Sequence, residues 1–368
     1  MRTRIINRYL LTELIAPFFL GLSVFVFILM MSQILRLNEL IIVHGVGVWA
    51  TMKLVFYLIT AFLAISIPIA FLFSVLSLFG RLSADSELIA LRVSGFSLIQ
   101  LAAPVIAFAV MVCIFCLFLT LHVEAWGAKA YKVEISKIGR EKATIGVQPG
   151  VFNDDFFGLV LYAAKVDSKE KKLEDVFIYD DSDPSGPLSV IAHQGAIVSS
   201  VDLPSVFLVL ENGTIHSASP DYQSLQKIHF DTYTINLAID VLAREDIKEK
   251  PKRISYGLLK ERIAEAQAQG DIEKARIYRS EYHRKFAVAF ASLVFALLGI
   301  SLGTQPTRSV KSGSFVYTLL FVGAYWTFVI VGQSLVVHGY SHPALGMWMP
   351  NIIFTALSGY LLYSSNRV

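Results

Sequence analysis

The sequence predicts an α-helical membrane protein of six transmembrane helices with an inserted all-β, jelly-roll-like domain. Three observations predict it. Mean hydropathy is +0.58 and 55% of residues are hydrophobic. Two strongly apolar blocks, residues 9–122 and 286–363, flank a polar middle. Of the 29 acidic residues, only Glu13, Glu39, Asp85 and Glu87 lie outside Glu124–Glu281. The expected parts are residues 1–122 with spans one to three, 123–253 as the β domain, 254–282 as connecting helices and 283–368 with spans four to six.

A helix needs about 20 apolar residues to cross roughly 30 Å of hydrocarbon. The first run, Leu14–Leu35, exceeds a signal-peptide core and has no small-x-small cleavage site after it; Arg36, Asn38 and Glu39 end it. The second is Leu54–Phe79. The third, Ile99–Leu121, holds both cysteines, Cys113 and Cys116, in an apolar setting that reads as packing rather than redox or metal chemistry.

Between spans two and three lies a polar break, residues 80–96. It reads as a short helix over about 83–94, with Ser83 or Asp85 as cap and Gly95 as its end. Leu88, Leu91 and Arg92 fall on one face, and Glu87 in the first turn is favoured by the helix dipole. Such a helix along a membrane surface resembles the coupling helix of ABC-transporter permeases, which inserts into a groove on an ATPase.

From about Gln148 to Leu237 the pattern turns to short runs rich in Val, Ile, Phe, Tyr and Thr. Val160–Ala164, Val176–Tyr179, Val190–Ala192, Ala196–Val201, Val206–Glu211, Thr214–Ala218 and Ile228–Ile235 are the expected strands. Asn212-Gly213 reads as the tight turn of a hairpin, which accounts for Asn212-Gly213-Thr214 without glycosylation. Next, Ser255–Ala268 and Asp271–Tyr282 read as helices, with Leu259, Ile263 and Ala266 as an apolar stripe and Asp271 as cap of the second. That second helix runs through Glu281–Lys285 into span four, Phe286–Leu302. Spans five and six are Phe315–Val337 and Leu345–Tyr363.

Orientation follows from Lys and Arg in the short connections. One side carries Arg2, Arg4, Arg8, Arg81, Arg92, Arg308, Lys311 and Arg367; the other carries only Arg36 and Lys53. This places both termini in the cytoplasm and the β domain outside. The outer domain has 20 basic and 25 acidic residues, so it offers no nucleic-acid surface. No phosphate loop or H-E-x-x-H motif occurs, so the chain is expected to be non-catalytic, with no metal site and no cofactor of its own.

Four stretches in register resemble the lipopolysaccharide export permease family LptF/LptG. They are Arg81-Leu-Ser-Ala-Asp-Ser-Glu-Leu-Ile-Ala-Leu-Arg92, Gly150-Val-Phe-Asn153 with Val176-Phe-Ile-Tyr-Asp180, Glu281-Tyr-His-Arg-Lys285 with Phe295–Gly303, and Met347-Trp-Met-Pro-Asn351. The first is closer to LptF wording. Ile300-Ser301 departs from the family, which often has a proline there.

The resemblance implies an inner-membrane subunit that pairs with a second permease subunit, LptG-like or LptF-like, above a dimer of the ATPase LptB, where ATP is bound. It implies extraction of lipopolysaccharide and its transfer to LptC and LptA. It implies ATPase coupling through Asp85, Glu87, Leu88, Leu91 and Arg92. Basic residues at outer span ends, Arg36, Lys53, Arg284 and Lys285, are then candidates for binding substrate phosphates.

Two other classes fit less well. An ion-coupled secondary transporter calls for acids deep within spans, and none is there. A membrane-anchored periplasmic binding scaffold needs one or two spans, not six.

Overall fold

Apolar runs without interior acids leave the backbone only its own groups to bond, so each folds as a long helix. The computed structural model describes residues 2–42, 47–142, 149–156, 159–167, 172–180, 188–199, 206–218, 225–237, 251, 254–305 and 310–365. Its helices are α1 (Arg2–Ile42), α2 (Val48–Ala84), α3 (Glu87–Val93), α4 (Leu98–Phe118), α5 (Glu124–Lys142), α6 (Tyr256–Ala268), α7 (Ile272–Gly303), α8 (Val310–Val337) and α9 (Pro343–Ser365). A π-helical turn, Leu119–Val123, joins α4 to α5 without a break. Six helices are long and apolar enough to cross a membrane, and they contain the six expected runs.

The chain divides into two compact units. The first comprises Met1–Leu35, Val55–Lys129 and Lys250–Val368. Within it α2 and α7 are the inner helices, each with 72% of its span buried, against 22% for α1, 28% for α8 and 33% for α9. Gly299 and Gly303, one turn apart on α7, admit α2 at close range. A Cβ at Gly299 would lie 2.9 Å from Val75, and one at Gly303 would lie 2.6 Å from Phe79. Small residues at this spacing let helix backbones approach in the absence of a hydrophobic driving force. Buried polar groups tie the rest together. Ser74 on α2 donates to the Leu14 carbonyl of α1 at 2.6 Å. Asn351 on α9 donates to the Ala287 carbonyl of α7 at 3.0 Å and accepts from Tyr325 of α8 at 3.0 Å.

The second unit comprises Arg36–Leu54 and Ala130–Glu249. Its core is a six-stranded antiparallel sheet in sequence order: β1 (Phe152–Phe156), β2 (Leu159–Asp167), β3 (Lys172–Asp180), β4 (Leu188–Ser199), β5 (Val206–Ala218) and β6 (Leu225–Leu237). One face is apolar and closed, with Leu161, Ala163, Val176, Ile178, Val190, Leu208 and Leu210 at 1% exposure or less.

A crease crosses this sheet. On each of β2 to β6 the inward–outward alternation is interrupted by two successive outward residues: Ala164-Lys165, Glu174-Asp175, His193-Gln194, Glu211-Asn212 and Asp231-Thr232. Inward residues resume at Val166, Leu173, Gly195, Gly213 and Tyr233. The pairing register is unchanged across the line, because Ala192 faces Gly213 and Gln194 faces Glu211. Each strand thus carries the same extra residue at the same level. Asp175 and Asn212 take positive φ there, 50° and 52°, a region that Asn and Asp tolerate better than most residues.

Two sequence expectations change. Asn212-Gly213 is no hairpin turn; it lies inside β5, and the segments expected as four strands are the halves of β4 and β5. The interrupted alternation at the crease has the same sequence signature as a turn. Ser83 is no helix cap either; it belongs to α2, and the break falls at Asp85-Ser86, where Ser86 takes φ +60°.

Candidate functional site

The break after α2 sets the geometry of α3. Ser86 makes no side-chain cap bond, Gly95 ends the segment at φ +95°, and Ser97 with Gln100 forms a reciprocal capping box that starts α4. A seven-residue helix held at both ends by turns has little freedom of its own. Its inward side is Leu88, 4% exposed, with Leu91 packed on the same helical core. Its outward side is Ile89 and Val93, 60% and 83% exposed, together with exposed Arg92. Of the three residues that the sequence aligns on one face, Leu88 and Leu91 turn inward and Arg92 outward. The spacing of Leu88 and Leu91 marks the side that meets the chain's own core. Asp85 is exposed at the break.

Glu87 is half-buried and joins three helices. The Tyr9 hydroxyl of α1 donates to its Oε2 at 2.8 Å. Arg81 of α2 donates to the Tyr9 hydroxyl at 3.2 Å and pairs with Glu13 of α1 at 2.9 Å. A single phenol, with one proton to give and lone pairs to accept with, therefore relays between a guanidinium and a carboxylate. No periodicity pointed to Tyr9; its only sequence signal is a polar hydroxyl where the N-terminal charges meet the first span.

The second polar cluster lies where the π turn meets α7. Arg284 and Lys285 are buried, at 7% and 1% exposure, as is Glu281 at 1%. Lys285 donates to the Thr120 carbonyl at 3.0 Å and to Glu124 at 3.2 Å. Arg284 donates through Nε to Glu281, and its Nη2 lies 3.6 Å from Glu124, an ion-pair distance too long for a hydrogen bond. Gln333 of α8 approaches the other oxygen of Glu281 at 3.5 Å. Two bases and two acids balance, so the group is neutral as a whole. Thr120 lies in the π turn, so Lys285 joins α7 to the backbone of that turn.

These placements refine the rim expectation. Arg284 and Lys285 are inward and matched, not exposed at a span end. Lys53 is half-exposed and pairs with Glu134 at 3.6 Å. The Arg36 side chain lies outside the described residues. The acids that complete the cluster were visible as the first and last carboxylates of the polar middle, Glu124 and Glu281, each beside a span end.

The sequence model of one protein family, described as lipopolysaccharide export system permease LptF/LptG, matches residues 8–364. In a comparison with individual curated proteins, none matches.

Proposed function

The chain belongs to the lipopolysaccharide export system permease family LptF/LptG, and on that premise we propose that it is one membrane subunit of an ATP-driven lipopolysaccharide exporter. The observation that carries this reading is the extent of the match, which takes in both helical groups and the inserted sheet. In this reading the termini and α3 are cytoplasmic and the sheet is periplasmic, in accord with the distribution of Lys and Arg.

ATP is hydrolysed by an LptB-type partner dimer. The outward side of α3, with Ile89, Arg92 and Val93, enters the partner's groove, and Glu87 and Asp85 meet its basic residues. The least covered spans, α1 and α8, carry outward apolar side chains such as Phe19, Phe27, Leu320 and Ile330. An apolar face of that size suits a second permease subunit and lipid. Lys53 and Arg36 remain the candidates for substrate phosphates at the outer rim. Among the described residues β1 and β6 are the sheet's edges. Strand addition there would pass substrate toward LptC and LptA.

Isolation in mild detergent tests the reading. The expected result is copurification of a second permease chain and an ATPase, lipopolysaccharide among the bound lipids, and ATP hydrolysis. Glu87→Ala should lower ATPase retention at equal membrane abundance. A chain that purifies alone, with no nucleotide hydrolysis and no bound lipopolysaccharide, would overturn it.

A further inference from the structure

Away from the balanced cluster around Lys285, another set of basic side chains makes no ion pair among the described residues. The hairpin of α6 and α7, with the turn between α8 and α9, borders a cleft of about 400 Å³. Lys260, Arg279, His283 and His342 line it, with Ile263 and Tyr282 as its apolar surface. Three acids of this hairpin are engaged elsewhere. Asp271 pairs with Lys274 at 2.8 Å, Glu265 with Arg262 at 3.0 Å, and Glu281 with Arg284. Among the described residues, none of the four basic groups is ion-paired.

The donors are partly fixed. Lys260 sits 4.6 Å from the centre of the Tyr256 ring, which stacks on Tyr282. His342 accepts the Ala344 amide at Nδ1, 3.3 Å, so the proton of its neutral ring is on Nε2, a donor. Lys260 and Arg279 bring two positive charges to one cleft without an ion-paired acid, like charges repel, and an anion in the cleft relieves this.

We propose that this cleft binds a phosphate group, with Arg279 as principal ligand and Lys260 and His342 completing the contacts. A guanidinium presents a planar fork that fits phosphate oxygens, and lysine adds a point charge. The wall of Ile263 and Tyr282 suits an apolar carrier of that phosphate. α7 continues directly from the cleft into a span, and basic pockets at span ends take lipid headgroups. The site goes beyond the export reading, which assigns no ligand to this hairpin.

The test uses purified full-length protein in mild detergent. Dioleoylphosphatidylglycerol and dioleoylphosphatidylcholine retention is counted by native mass spectrometry, and radiolabelled inorganic phosphate is followed by equilibrium dialysis. Arg279→Gln is expected to weaken binding about tenfold, the scale of one charge-assisted hydrogen bond. Arg279→Lys should recover part of it. Charge-dependent retention of phosphatidylglycerol alone identifies the source as a lipid headgroup; binding of inorganic phosphate at equal strength identifies the free anion. A Lys260→Gln/His342→Gln double variant alters only exposed side chains and serves if Arg279→Gln fails to fold. Wild-type binding of every probe by these variants would overturn the site. No step depends on an ATPase, so this outcome leaves the export reading untouched.

Discussion

Lys285 donates to the Thr120 carbonyl at 3.0 Å, joining two span ends separated by 165 residues of chain. The contact couples a local distortion to a buried charge. Without Lys285, Glu124 would lose its nearer cation. Removing one member of a buried pair costs ~3–5 kcal/mol, because the other charge is left uncompensated. Lys285→Met is therefore expected to lower the thermal midpoint of the detergent-solubilised protein, read by fluorescence-detected gel filtration. Adding Glu124→Gln should recover part of the loss. If the double variant is as unstable as the sum of the two single ones, the pair does not act as a unit.

Tyr9→Phe keeps the ring and removes the donor to Glu87. A bond to a charged acceptor contributes about 1.5 kcal/mol at the low end, and this one is half-buried. Amide exchange over α3 is expected to rise roughly tenfold, as the short helix loses its tie to α1. Unchanged exchange would mean that Leu88 alone seats α3.

Gly303→Ala places a methyl group 2.6 Å from the Phe79 Cβ, with α2 backbone just beyond. Neither helix can yield cheaply, and overpacking of this kind costs roughly 1–3 kcal/mol. The expected readout is a lower thermal midpoint. Gly323→Ala, at an open position on α8, should be neutral in the same assay.

Asn212 tests the crease. Asn212→Gly removes the cost of positive φ and should leave β5 as protected from hydrogen exchange as before, or more so. Asn212→Val puts a β-branched residue into that conformation and should cost about 1–2 kcal/mol. Equal protection in both variants would show that the strand relaxes φ at this position.

The helical groups were legible because hydropathy over 20 residues is a long signal and acids are excluded throughout it. The cap Asp271 and the unbroken α7 were legible for the same reason: each is a local rule satisfied by neighbours in sequence. The cluster of Glu124, Glu281, Arg284 and Lys285 was not, since its partners meet only when α7 packs beside the π turn. Alone, Arg284-Lys285 looks like any basic pair at a span end. Period alone says which residues of α3 align, not which side meets the core, so the inward turn of Leu88 and Leu91 was not legible.

The crease constrains how the sheet can be re-engineered. One added or lost residue in a single strand would turn everything beyond that point inside out relative to its neighbours, while the same change made in all strands keeps them in register with one another. A chimera that borrows β4 or β5 from a relative must therefore import the adjoining strands with it, or retain the odd residue at His193 and Asn212. Length variation in this sheet is a property of the whole ribbon, and single-strand indels near these positions should be recovered only with compensating ones next door.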